Sequence, residues 1–121
     1  MKLGHIGIPV KNTKASKVFY DAIIEHIDLE FLNETDTSVL YGKSNSVDFY
    51  VHTRKAPVTN VHVCFEVDSH EQVDNFHTDG LAAGGVDYGA PGIREDYSPT
   101  YYAAFLLDPD GNNIEVVCRS S

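Results

Sequence analysis

The chain carries the same strand–helix phrase twice. Residues 5–21 read HIGIPVKNTKASKVFYD, and residues 62–78 read HVCFEVDSHEQVDNFHT. The displacement is 57 residues throughout, so that His5 matches His62, Ile6 Val63, Ile8 Phe65, Val10 Val67 and Phe19 Phe76. Each copy opens with a histidine in an alternating stretch and runs on into helical spacing. A repeat this short has a sheet face it cannot easily bury alone. The two copies are therefore expected to pack together or to swap between chains. A histidine at the same phase in both makes two half-sites that can face each other and hold a metal ion.

Alternation sorts the residues onto faces. In residues 3–10, Ile6, Ile8 and Val10 point one way, and His5, Gly7 and Pro9 the other. Asn12 or Thr13 can cap a helix bearing Val18, Phe19, Ile23 and Ile27. Leu29–Leu32 and Val39–Gly42 read as short strands. Ser44-Asn45 is a turn signal, and a fourth strand alternates Val47, Phe49 and Val51 with Asp48, Tyr50 and His52. Lys55–Asn60 reads as a connector. In the second half Val61, Val63, Phe65 and Val67 oppose His62, Cys64 and Glu66. Ser69 with Gln72 forms a capping box, and Gly84-Gly85 stops the helix. Residues 85–100, GVDYGAPGIREDYSPT, form a long segment rich in Gly, Pro and Tyr, read as functional or floppy. Tyr101–Leu107 is a strand, and Asp108-Pro109-Asp110-Gly111-Asn112 turns the chain into a last strand carrying Ile114 and Val116. The expectation is an α+β protein of order βαβββ, connector, βαβββ. Its 121 residues suit one domain, with a first module over about 1–55 and a second over about 60–121.

Charge narrows the partners. Nine basic against 18 acidic residues give a formal charge of −9. Nucleic-acid grooves and anionic membrane surfaces select clustered Lys and Arg, so neither is expected as a partner. No stretch approaches the roughly 18 apolar residues of a membrane span. Met-Lys-Leu-Gly-His lacks the apolar run of a signal peptide. A cytoplasmic location is expected, with Cys64 and Cys118 reduced and acting as buried small hydrophobes on strands.

If the aliphatic residues face the helices, the opposite sheet face carries His5, Asp48, His62 and Glu115. Two histidines with one or two carboxylates suit a divalent first-row cation that keeps a position open for water or substrate. Such a donor set also matches the two-His, one-carboxylate triad of non-haem iron enzymes. A strand histidine alone is more often a hydrogen-bonded structural residue, and it is the repetition that favours ligation here. Asp48 is one methylene shorter than a glutamate and reaches less far. His52, His70 and His77 are weaker ligand candidates. Arg94, in the long segment with Asp96, Tyr97, Tyr101 and Tyr102, can clamp a substrate carboxylate or pair with Glu95 or Asp96. Tyr50, on the Asp48 face, can line a pocket or simply pack.

At these residues the chain resembles the vicinal oxygen chelate superfamily, also called the glyoxalase/bleomycin resistance/dioxygenase superfamily. The carrying segments are HIGIPV at 5–10, VDFYV at 47–51, HVCFEV at 62–67 and FLLDPDGNNIEVV at 105–117. The resemblance implies paired βαβββ modules forming a half-open mixed-sheet barrel around a divalent metal (Zn, Ni, Fe, Mn or Co). Ligand positions of glyoxalase I members correspond to His5, Asp48, His62 and Glu115, although their first carboxylate is normally a glutamate. His5, His62 and Glu115 would match the three ligands of extradiol dioxygenases. The implied activity is glyoxalase-like, related to lactoylglutathione lyase. It acts on a small vicinal-oxygen substrate, with Glu115 as ligand or base and Arg94, Tyr50 and Tyr102 at the substrate. An Fe(II) extradiol-type dioxygenase and a metal-free bleomycin-resistance-like binding protein are the alternatives. Short members commonly pair, which implies a homodimer. The carboxylates Asp48 and Glu115 lie 67 residues apart, so the second half holds about ten extra residues around Arg94.

Overall fold

The computed structural model describes residue 1 and residues 3–120. The first module runs β1 (Ile6–Pro9), α1 (Thr13–Ile23), a 3-10 turn (Ile24–Ile27), β2 (Glu30–Glu34), β3 (Ser38–Lys43) and β4 (Ser46–His52). The second runs β5 (His62–Glu66), α2 (His70–Ala82), β6 (Val86–Ile93), β7 (Tyr102–Leu107) and β8 (Asn113–Cys118). Each module makes a four-stranded mixed sheet of the same design, β1-β4-β3-β2 and β5-β8-β7-β6. In both, the first strand lies parallel to the last and the remaining pairs are antiparallel. The expected α+β class and the two βαβββ modules are therefore present. The two sheets remain separate and are not closed into a barrel. No helix among the described residues is long and apolar enough to cross a membrane.

The helix starts follow local chemistry. The Asn12 side chain accepts the amides of Lys14 and Ala15 at 2.8 and 3.2 Å, satisfying donors that the first turn leaves free. Ser69 caps α2 by accepting the Gln72 amide, and the Gln72 side chain reaches back to the Asp68 amide. The α2 stop at Gly84 and Gly85 also holds: Gly84 has a φ of +104°, and the Gly85 amide returns to the Gly80 carbonyl.

The long segment over 85–100 does not begin as a loop, since Val86–Ile93 is the edge strand β6. Its register against β7 slips between Asp87 and Gly89 and again between Gly89 and Gly92. These bulges, together with Pro91, break the two-residue alternation that announces a strand. Gly89 has a φ of +156°, and a Cβ there would meet the Phe105 ring at 2.9 Å.

The helix-facing sides of both sheets share one core. Ile8, Val10, Phe49 and Val51 of the first module join Val63, Leu106, Ile114 and Val116 of the second, with Phe19 and Phe76 between them. Phe49 and Phe65 meet edge to face across the modules, with centroids 5.7 Å apart. Polar struts fix the arrangement. Tyr20 on α1 donates to buried Asp108 at 2.6 Å, and the Lys11 amide donates to Asp110 at 2.9 Å. His26 Nε2 meets Asp79 on α2 at 2.7 Å. Removing the Tyr20 hydroxyl leaves a buried carboxylate short of a donor. Tyr20→Phe should therefore lose about 1.5–3 kcal/mol, the range for a hydrogen bond to a charged group. Urea unfolding should show a lowered midpoint with an unchanged slope.

Candidate functional site

Parallel pairing sets the first-module residues side by side. Ile6 is level with Phe49, which places His5, just before β1, next to Asp48 on β4. Together with Cys64 and Glu66 they line a cleft of about 200 Å³ at the seam between the modules. Tyr50 lies over β1, its ring 5.9 Å from that of His5. Gly7 makes room for it: a Cβ there would sit 2.3 Å from the Tyr50 ring. His52 continues the face, 5.6 Å from Tyr50.

The second-module pair is in direct contact. His62 Nε2 lies 3.1 Å from Glu115 Oε1, and His62 Nδ1 lies 3.0 Å from the Asn113 carbonyl. Tyr101 donates its hydroxyl to Glu115 Oε2 at 2.6 Å. Glu115 is only 4% exposed, and among the described residues its one ion-pair partner is His62. The donor count is informative. If Nδ1–H donates to the carbonyl, Nε2 presents a lone pair to a carboxylate oxygen. Two acceptors at 3.1 Å require a proton or a cation between them. Holding Nδ1–H on a backbone carbonyl is also how ligating histidines are commonly oriented.

Around this pair, the Phe105 ring stacks beside His62 at 6.4 Å, and Arg94 lies over Phe105. Arg94 commits Nη1 to the Gly92 carbonyl and Nη2 to the Ala90 carbonyl, at 2.9 and 2.7 Å. It thus holds its own bulged strand rather than pairing with Glu95 or Asp96. Burial pushes the Cys64 thiol up to about 12, reinforced by Glu115. Tyr101 is likewise raised, by burial first and then by Glu115, so it remains a hydrogen-bond donor.

The structure does not bring every expected residue to one point. Among the described residues, the one set of three possible ligands within reach of a single ion is Glu25, His26 and Asp79, at the helices. Tyr102 turns away from the site. It packs toward the core, donates to Asp74 at 2.6 Å and stacks on His70 at 3.9 Å. Its place at the Glu115 face is taken by Tyr101. Strand parity carries this signal, because Ala104 and Leu106 are core residues and Tyr102 shares their phase. The expectation of two buried cysteines holds for Cys118 but not for Cys64, which is exposed on a strand and lies beside Glu115 in register. The role of His26 had no local signal, since its partner Asp79 is 53 residues away.

His52 offers a test of this face. Burial, then Arg54 and Lys55, hold its imidazole below the ordinary value of 6.5. The unfolded chain therefore takes up this proton first as pH falls. Stability from the neutral ring is present above about 6.5 and declines as pH drops toward the lower folded value. Between about pH 7.5 and 5.5 the urea midpoint of His52→Gln should fall less steeply than that of the wild type. Equal slopes would remove His52 from the account.

Known proteins share this architecture. The model of the Glyoxalase/Bleomycin resistance protein/Dioxygenase superfamily matches residues 2–116. A glyoxalase/bleomycin resistance protein from Albidiferax ferrireducens T118 is 31% identical, with a TM-score of 0.81 over 97% of this chain and 98% of that one. A glyoxalase/bleomycin resistance protein/dioxygenase family enzyme from Burkholderia phytofirmans PsJN superposes with a TM-score of 0.74 at 18% identity, over 99% and 100% of the two chains. A lactoylglutathione lyase from Agrobacterium tumefaciens gives 0.69 at 18% identity, over 97% and 92%. No curated protein matches the chain. The family match over nearly the whole sequence and the paired modules agree, and the chain belongs to the glyoxalase/bleomycin resistance protein/dioxygenase superfamily.

Proposed function

We propose that this protein is a glyoxalase-like metalloenzyme for a small substrate with two neighbouring oxygens, with His5, His62 and Glu115 as ligands and Asp48 beside them. The observation that carries this reading is the contact of His62 Nε2 with Glu115 Oε1 at 3.1 Å, with Nδ1 against a carbonyl. Two donors each about 2.0–2.2 Å from one ion stand roughly 3 Å apart, so the pair has the spacing a shared cation needs. Nitrogen and carboxylate donors suit Zn, Ni, Fe, Mn or Co. When bound, such an ion polarises the substrate oxygens as a Lewis acid and stabilises charge that develops on them.

The remaining steps belong to the chain's own groups. As the alternative to holding the ion, Glu115, shielded from water and steered by the Tyr101 hydroxyl at 2.6 Å, would be the base that accepts a proton from substrate carbon and returns it. Tyr101 keeps its own proton and fixes the carboxylate's orientation. Tyr50 and Phe105 supply apolar walls on the two module faces. Arg94 has two of its five N–H donors taken by its own strand, and the rest serve an anionic substrate group. The first-module and second-module residues do not form a three-ligand group in one chain. The reading therefore includes a homodimer in which His5 and Asp48 of one copy meet His62 and Glu115 of the other.

Calorimetric titration with each metal tests this reading. One ion per site should bind, and His5→Ala, His62→Ala and Glu115→Ala should each weaken binding by at least about tenfold. Affinity that none of these changes alters would rule the reading out. Mixing His5→Ala with Glu115→Ala protein tests the shared site. Random re-pairing should restore about one quarter of the sites if ligands come from two copies, and none if they come from one.

A second reading has one observation in its favour. Because the quartet is not gathered in the chain, the cleft also suits a metal-free protein that sequesters a small ligand. Tight ligand binding without metal or turnover distinguishes it.

A further inference from the structure

The first-module face ends in a second groove that the proposed metal residues do not occupy. It encloses about 360 Å³ and is lined by Gly7, Pro9, Tyr50, His52, Arg54 and Lys55. The chain has only nine basic residues against 18 acidic ones, yet two of the nine stand together at this groove. Among the described residues neither Arg54 nor Lys55 has an ion-pair partner. The Arg54 guanidinium lies 5.9 Å from the Tyr50 ring, close enough for the aromatic face to hold it over the groove. His52 forms the inner wall. It is 8% exposed, and its Nδ1 has no hydrogen-bond partner.

These groups have one chemistry in common. A protein of charge −9 repels anions at long range, so an anion is retained only where cations and donors converge. Arg54 offers a planar fork of donors and Lys55 a mobile ammonium, and both suit carboxylate or phosphate oxygens. Tyr50 links this groove to the other cleft, since its ring is within 5.9 Å of His5 and 5.6 Å of His52.

We infer that Arg54, Lys55 and His52 form an anion subsite that takes the carboxylate or phosphate of a small organic acid, whose other end lies along Tyr50 toward His5. This rests on the reading above that the open sheet face receives substrate, and it adds the class of that substrate as an organic anion. It also adds an anion-recognising charge on the first module to the one that Arg94 offers on the second.

Nuclear magnetic resonance on metal-free protein tests the subsite, with inorganic phosphate and acetate as separate probes. The expected result is a saturable shift of the His52 ring and Arg54 side-chain signals. Arg54→Gln/Lys55→Gln should weaken it at least about tenfold, because both charged partners of the anion are lost. A stronger response to phosphate assigns a phosphoryl group, and a stronger response to acetate a carboxylate. The absence of saturation, or shifts undiminished in the double variant, would overturn the subsite. Both substituted residues are exposed, and circular dichroism checks that the variant folds. Metal and anion titrations of the wild-type protein separate the two proposals. Normal metal binding with no anion response sinks the subsite alone, and an anion response without metal binding sinks the metalloenzyme reading alone.

Discussion

Asp108 is a carboxylate only 2% exposed, and it is compensated by donors rather than by a cation. Its oxygens accept the amides of Asp110 and Asn112, the Asn112 side chain and the Tyr20 hydroxyl. The Asn112 side chain in turn accepts the Val61 amide just before β5. One turn therefore sets the start of β8, the entry to β5 and the docking of α1. The residues delivered by these strands are Glu115 and His62. A buried ionised group costs several kcal/mol unless its lone pairs are met. The geometry around Asp108 is accordingly hard to vary, and the candidate site inherits its rigidity. The most distinctive motif of the sequence, DPDGN, thus positions the strands that carry the candidate residues.

The modules repeat in backbone and diverge in side-chain chemistry. Each offers a histidine beside a carboxylate on a first-strand and last-strand pair, but only His62 and Glu115 are in contact. Asp48 is shorter than a glutamate and shares its cleft with His5, Cys64 and Glu66. The second module buries its carboxylate under Tyr101 and Phe105, while the first leaves its face open and ends in cations.

The strand–helix order, the helix caps and the faces of most strands were legible because they follow from neighbours within four residues. Ser69 with Gln72, Asn12 and the alternation of β1, β4 and β5 are of this kind. The edge strand β6 was not legible, since its bulges at Gly89 and Gly92 spoil the period. The parity of Tyr102 with Ala104 and Leu106 was legible and sends it toward the core, which leaves Tyr101 on the Glu115 face. His26 gained its strut only by folding, through a partner 53 residues away.

By itself, then, the sequence determined the duplication, the βαβββ order and which residues share a sheet face, because hydrophobic periodicity and capping are local. Only the tertiary structure decided that Glu115 is buried and held by Tyr101 and His62. Among the described residues it also gathers no three-ligand group from the two half-sites in one chain. Those outcomes depend on strand register, on the slip of a bulged edge and on how two sheets pack across a shared core. Such long-range terms are summed over both modules and have no signature in any short stretch of residues.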